Sequence, residues 1–484
     1  MLAATTALGG LSLLLLFALN QRLRSRPLSS KSVGLIVLGD IGRSPRMLYH
    51  AQSFVNNDYT TYIIAYRGST SPSSLTENEL CHFIYLPQVM PWTSKLPRIG
   101  FLLLAPIKVL LGALALLVAL LFRIREAPKF FFVQNPPSIP TLPIVQLAVL
   151  LRGSRLIIDW HNTGWSVLSL RLGANHPVVK IAKKIELWFG KTAFAHLMVT
   201  ETMKSKLVEE AQLKGKAVAF HDRPPRHFRR QTTLEAHELF RRLPVLKTIS
   251  FDSPARVEDG STLFTTADGT LRPDRPALLV TSTSHTPDED LNILLAALTS
   301  YELSASSQSL PKLVMLVTGK GPLKFTFEDA ARQLSESGKL GQYVAVRTVW
   351  LELEDYPKLL GSSDVGISLH DSTSGMDLPM KVVDMFGCEL PVLALRFECI
   401  GELVKDGVNG TTFGDAEELA KQLIDLLSGF PSSQGSSELE RLRKGIKTAS
   451  YGAQSQGDQK GSEGRGWSDW ETHWDQIVLP LLTA

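Results

Sequence analysis

Residues Gly366 to Val392 read GISLHDSTSGMDLPMKVVDMFGCELPV, and few folds accept such a stretch. The apolar run Val365 to Leu369 has the length of a strand buried on both faces. A loop of small and polar residues follows, from His370 to Gly375. Pro379 ends the loop, because proline suits the first turn of a helix, where its missing N–H is not needed. A helix is expected from about Met380 to Cys388, and the apolar run Pro391 to Leu395 reads as the next strand. Two buried strands joined by a helix are parallel neighbours in a sheet covered on both sides. A Ser/Gly loop entering a helix N-terminus collects loop N–H groups and the positive end of the helix dipole at one spot, which suits an anion. Lys381 is a cation in that first turn, where the dipole disfavours it unless an anion is near. Asp384, three residues on, shares its face. A cation for phosphates and a carboxylate for sugar hydroxyls suit a nucleoside-diphosphate donor. A surface salt bridge between the two suits the same residues equally well.

The unit recurs along the chain. Ser32 to Leu38 is an apolar run ending in GDIGRSPRM: a strand, a turn with Gly39 and Gly42, and a helix with Ser44 as cap and Pro45 at its first position. The glycines let a ligand approach the backbone, though the spacing is not that of the dinucleotide fingerprint. Asp40 and Arg43 project from this turn, and Asp40 serves equally as a turn residue bonding its own backbone. Further strands are read at Tyr59–Tyr66, Phe130–Val133, Arg155–Asp159 and Ala195–Val199. The last two run into Trp160-His161-Asn162 and Thr200-Glu201, which places polar groups at a carboxyl edge, where open α/β sheets bind ligands. His161 suits a cap or a ligand contact, and the contact is preferred. In the second half, Ala277–Thr283, Lys312–Val317 and Tyr343–Thr348 read as strands. Gly319-Lys320-Gly321 forms a phosphate-suited turn after the second of them, without the spacing of an ATPase loop. Asp288-x-Asp290 has metal-binding spacing, but acids in a first helical turn satisfy the dipole, and that reading is preferred.

The whole is an α/β chain of two doubly wound parallel-sheet domains, for which 484 residues suffice. The expected divisions are an N-terminal domain at 32–223, a connector and loop at 224–275, a C-terminal domain at 276–429, a flexible loop at 430–466 and a final helix at 467–484. In that helix the stripe Trp467, Trp470 and Trp474 reads as core.

Leu2 to Leu19 is apolar, just long enough to span a bilayer, and is followed by Arg22, Arg24, Arg26 and Lys31. This reads as a signal anchor over 1–21, with the rest of the chain on the cytosolic side. A second apolar segment, Ile99 to Phe122, is flanked by basic residues on both sides. It reads as a helix lying in or dipping into the membrane in preference to a span, because the β/α pattern continues on both sides of it. The net charge of +4 points to no nucleic acid, and three scattered cysteines build neither a disulfide framework nor a zinc site.

GDIGRSPRM at 39–47, QNPP at 134–137, LIIDWHNTGWS at 156–166, TSTSHTPDED at 281–290, TGKGP at 318–322 and SGMDLPMKVVDMFGCELPV at 374–392 resemble the chitobiosyldiphosphodolichol β-mannosyltransferases. The resemblance covers nearly the whole chain except 224–275 and 430–466. It implies a GT-B fold, two Rossmann-like domains facing across a cleft, with GDP-mannose as donor and dolichyl-diphosphate-chitobiose as acceptor. The implied reaction inverts the anomeric carbon, gives a β1,4 link in the precursor of N-glycans, and takes place on the cytosolic face of the endoplasmic reticulum membrane, with other mannosyltransferases of the pathway as candidate partners. The donor side falls to Ser284, Gly319, Lys320, Gly321, Ser374, Gly375 and Lys381, with Asp384 on the ribose. Retaining relatives carry a second Glu before the loop, and here it is absent. The acceptor side falls to Gly39, Gly42, Arg43, Asn162 and Glu201. For the general base Asp40 is placed first, with His161 contacting the mannose and Glu201 third. No tightly bound cofactor is implied, and a divalent metal has no clear ligand set. The alternatives are a retaining α-mannosyltransferase of the same pathway and a non-catalytic membrane scaffold.

Overall fold

The computed structural model describes residues 28–251, 260–352, 354–372, 374–431, 437–448 and 468–483. The expected anchor at 1–21, the basic residues Arg22, Arg24 and Arg26, most of the 430–466 loop and Trp467 lie outside them. The chain forms two compact units, one of Met1–His221 with Ile477–Ala484, the other Asp222–Gln476.

The first unit holds seven strands: β1 Leu28–Asp40, β2 Thr60–Tyr66, β3 Cys81–Leu86, β4 Ala127–Asn135, β5 Arg155–Trp160, β6 Thr192–Met198 and β7 Lys214–Ala219. They pair in parallel in the order β3-β2-β1-β4-β5-β6-β7. The second unit holds β8 Ala277–Ser282, β9 Leu313–Thr318, β10 Val344–Val349, β11 Val365–Ser368, β12 Val392–Leu395 and β13 Gly410–Phe413. Their order is β10-β9-β8-β11-β12-β13, again all parallel. In each sheet the winding reverses once, between β1 and β4 and between β8 and β11. Crevices form outside the carboxyl ends of strands at such reversals. The apolar runs follow from burial on both faces: Leu279, Met315 and Ile367 enter one core of the second unit, while Leu278, Val280, Val314 and Leu316 enter the other.

The helix after β11 spans Met380–Gly387, one residue shorter than expected, and buries Val382, Val383, Met385 and Phe386. The described residues of the expected connector at 224–275 include helices. A helix at Thr233–Arg242 starts with a reciprocal cap between Thr232 and Glu235, and a short one follows at Pro244–Lys247. Ala236, Leu239, Phe240 and Leu243 recur at helical spacing and pack against the sheet with Phe264, Leu278 and Val280. The His, Glu and Arg residues between them hid that stripe. A helix at Ser437–Thr448 lies within the stretch expected as a flexible loop at 430–466. The end of the chain is two helices, Trp470–Ile477 and Leu479–Thr483, with Trp470 and Trp474 buried as core. Lys129 Nζ donates to the Leu482 carbonyl at 2.8 Å, tying this end into the first unit.

The second apolar segment is a helix at Arg98–Val118 that continues through a wider turn at Ala119–Arg123. Strands β3 before it and β4 after it belong to one sheet, so the segment cannot cross a bilayer once. Leu116, Ala119, Leu120 and Leu121 are buried, whereas Leu103 is 73% and Leu110 69% exposed. Arg152 is buried and donates to the carbonyls of Leu120, Leu121, Ile124 and Glu126 at 2.5–3.3 Å. Its charge therefore caps the negative end of the apolar helix.

Candidate active site

In the first unit, β5 delivers Asp159 and His161 to the carboxyl edge. Asp159 is fully buried and accepts two hydrogen bonds from Arg46, at 2.9 and 2.8 Å. His161 Nε2 lies 2.7 Å from the same carboxylate and His50 Nε2 3.3 Å from it. Burial alone would raise the Asp159 pKa, but Arg46 and His161 hold it well below the usual carboxylate range. An ionised carboxylate only accepts, so Nε2 of His161 carries the hydrogen in this pair, and in the neutral tautomer that this selects Nδ1 holds the lone pair. His161 is the part of this cluster that reaches solvent, its side chain 22% exposed. Burial pushes His50 down to about 4, so it is neutral at physiological pH. The loop carrying His161 is pinned from behind. Glu186, buried on the helix Pro177–Gly190, accepts from Asn135 Nδ2 at 2.7 Å, the Gly164 N–H at 2.9 Å and the Trp165 N–H at 3.2 Å.

Asp40, the expected base, is held by its own turn. Its carboxylate accepts from the Ser69 N–H, the Ser69 hydroxyl and the Gly42 N–H at 2.8–3.1 Å. The Ser69 N–H leads the groups that lower its pKa. A base must be free to take a proton, so the geometry favours the turn-binding role for Asp40. Arg43 is exposed and donates to Ser69 Oγ at 3.3 Å. A Cβ at Gly42 would meet the Ser69 carbonyl at 2.6 Å, so that glycine makes room for the neighbouring loop, while Gly39 is uncrowded. Asn162 Oδ1 accepts from the Thr163 N–H and the Ser166 hydroxyl at the start of the next helix. Glu201 pairs with Lys204 at 2.7 Å.

In the second unit the crevice between β8 and β11 is organised by Glu289, a residue the sequence reading passed over between Asp288 and Asp290. Glu289 is buried and accepts from Thr283 Oγ1 at 2.6 Å and the Ser284 N–H at 2.8 Å. It also pairs with Lys381. The anion that a lysine in a first helical turn requires is thus internal, and Lys381 does not pair with Asp384. Asp290 caps the helix Leu291–Ala305 by accepting from the Asn292 N–H at 3.0 Å, so the two acids precede the first turn instead of lying within it. The turn after β9 packs backbone to backbone on the loop after β8. A Cβ at Gly319 would lie 1.8 Å from the Thr283 carbonyl oxygen, and one at Gly321 would lie 1.7 Å from that of Ser284. Lys320 stands apart from these contacts, its Nζ 3.7 Å from the centre of the Trp350 ring.

The loop from His370 folds around Asp377, which accepts from the hydroxyls of Ser372 and Ser374, the latter at 3.0 Å. Burial would raise its pKa, and His370 with the two serines brings it below the ordinary value. Gly375 turns the chain there at φ +66°. Asp384 is partly buried, and burial with the nearby Asp222 raises its pKa well above the carboxylate range. Among the described residues no cluster of three His, Cys, Asp or Glu side chains is placed to hold a metal.

The glycosyl transferases group 1 family matches residues 275–429. The chain is 40% identical over 463 residues to the Homo sapiens protein named chitobiosyldiphosphodolichol beta-mannosyltransferase, covering 94% of this chain and 93% of that one. A Dictyostelium discoideum protein of the same name is 36% identical over 487 residues, 93% of each chain. An Arabidopsis thaliana protein named UDP-glycosyltransferase TURAN is 39% identical over 478 residues, 93% of this chain and 96% of that one. Among solved structures, Anabaena HepE in complex with UDP and glucose superposes with a TM-score of 0.59 at 14% identity, covering 94% of this chain and 100% of that one. WaaG, a glycosyltransferase involved in lipopolysaccharide biosynthesis, gives 0.55 at 12% identity, covering 86% and 95%. These likenesses show the fold, which is GT-B with two Rossmann-like domains. Similarity to the human and Dictyostelium proteins over nearly their full length goes further, and the chain belongs to the chitobiosyldiphosphodolichol beta-mannosyltransferase family.

Proposed function

We propose that this protein transfers mannose from GDP-mannose to dolichyl-diphosphate-chitobiose with inversion, forming a β1,4 link on the cytosolic face of the endoplasmic reticulum membrane. The names of its relatives support a dolichol-linked β-mannosyltransferase. The observation that carries the mechanism is the Asp159–His161 pair. Asp159 fixes the tautomer of His161, so Nδ1 is available to take the proton of the acceptor hydroxyl. The hydroxyl oxygen then attacks the anomeric carbon from the face opposite the diphosphate. The bond from that carbon to the phosphate oxygen breaks, and GDP leaves with the electron pair. Lys381, poised by Glu289 at the N-terminus of the helix Met380–Gly387, compensates the charge that develops on the leaving diphosphate.

The Arabidopsis relative's name gives a UDP-dependent transferase, so the donor is the sharpest question. The test incubates the purified protein with a phytanyl-diphosphate-chitobiose acceptor and either GDP-mannose, UDP-glucose or UDP-N-acetylglucosamine. A β-linked mannosyl product from GDP-mannose alone is expected. An α-linked product would point to a retaining enzyme, product from a UDP-sugar would replace the donor, and no product would sink the enzyme reading.

A further inference from the structure

Trp350 follows directly on β10, at the carboxyl edge of the second unit's sheet, and is 55% exposed. Lys320, in the turn after the neighbouring β9, holds its ammonium 3.7 Å from the centre of the ring. An exposed cation–π contact stabilises far less than burial of a large apolar side chain, so it is little return for leaving so much of an indole in water. The place of the pair in the sheet gives the exposure a use. Strands β8, β9 and β10 are consecutive neighbours, so Trp350 lies roughly 10 Å along the carboxyl edge from the end of β8. The end of β8 is where Glu289 binds Ser284 and Lys381. A nucleoside diphosphate lying along this edge, with its diphosphate beside Lys381, carries its base toward β10.

We propose that Trp350 is the stacking platform for the donor's nucleobase, with Lys320 held on the same ring to reach the diphosphate. This rests on the nucleotide-sugar reading above. Stacking of a base on an aromatic side chain is worth about 1–3 kcal/mol by alanine substitution, which is about 5- to 150-fold in affinity. A stacking contact acts on the base and not on the phosphates, and the test uses that difference.

Calorimetry with the full-length protein measures binding of GDP, UDP and inorganic pyrophosphate to wild type, Trp350→Ala, Trp350→Phe and Lys320→Gln. Trp350→Ala is expected to weaken GDP about 5- to 150-fold and pyrophosphate less than twofold, and Trp350→Phe to restore most of the loss. Lys320→Gln is expected to weaken both ligands. GDP binding to Trp350→Ala within twofold of wild type would overturn the platform. An equal loss of pyrophosphate would overturn it too, since the ring would then serve only to place Lys320. If wild type binds UDP and not GDP, the donor assignment falls and the same comparison decides the platform with UDP. If it binds neither, both fall.

Discussion

What already holds a carboxylate decides whether it can act as a base. Asp40 is occupied by two N–H groups and a hydroxyl, whereas Asp159 spends its charge on orienting an imidazole. His161→Ala is therefore expected to lower kcat by roughly 10²- to 10⁴-fold with the donor KM little changed, the range for losing a general base. Asp40→Asn is expected to lower the melting temperature and to keep kcat within about tenfold, because it loosens the tie to Ser69 without removing a proton acceptor. The reverse pattern in steady-state kinetics would return the role to Asp40. His50 gives a separate handle on the same cluster. Its pKa falls from 6.5 in the unfolded chain to about 4 in the fold. Between those values the unfolded chain binds a proton that the folded chain refuses. The contribution of neutral His50 is thus complete above pH 6.5, declines as the pH falls toward 4, and is lost below. Denaturant unfolding followed in the first unit should lose about 2 kcal/mol between pH 7 and pH 5 from this source. His50→Phe should flatten that slope. Asp159, with its pKa lowered in the fold, loses stability only at more acid pH, below its unfolded value.

At the scale of elements, two loops 35 residues apart in sequence form one surface. The turn at Gly319 and Gly321 fits against the loop at Thr283 and Ser284 because neither glycine has a Cβ. Gly321→Ala would bring a methyl 1.7 Å from the Ser284 carbonyl oxygen, so the loops must part. The expected result is a loss of about 1–3 kcal/mol in stability together with at least a tenfold rise in donor KM. A variant with normal donor KM would show that the packed loops do not shape the donor site. This surface also marks where sequence reading succeeds and stops. The strands were legible because burial on both faces leaves unbroken apolar runs, and Gly-Lys-Gly was legible as a turn that brings backbone close to something. Glu289 was not, because its partner Lys381 lies 92 residues away and nothing local distinguishes Glu289 from the acids on either side. The rule that flagged Lys381, a cation in a first helical turn, applies equally to Arg46 in the helix Pro45–Asn56. It was not applied there, although it would have asked for a buried anion, and the structure supplies Asp159 as that anion. The helix at Thr233–Arg242 escaped notice because its apolar stripe is diluted by charged residues.

For the molecule as a whole, the segment between β3 and β4 raises the question of where the enzyme meets its lipid-linked substrate. One sheet receives the chain on both sides of this segment, so its ends share a compartment and the apolar helix does not cross a bilayer once. Only 17% of its most apolar window is buried inside the protein. Leu103, Leu110 and Leu114 are among its most exposed side chains, and each offers up to roughly 1.5–3 kcal/mol on leaving water. Three such residues are worth more than the roughly 4 kcal/mol that separates a freely soluble protein from one retained on vesicles at millimolar lipid. We expect a chain lacking residues 1–27 to float with neutral phosphatidylcholine vesicles and to stay bound in 1 M salt, since apolar contacts are not screened. Replacing Leu103, Leu110 and Leu114 together by Gln should release it to the soluble fraction while leaving GDP binding unchanged, because the substituted face belongs to the first unit and the residues proposed to bind the nucleotide belong to the second. Failure of the shortened wild-type chain to float would mean that this helix faces protein. Release by salt alone would assign the attachment to the basic residues flanking the helix, Lys95, Arg123 and Arg125, and not to its apolar face.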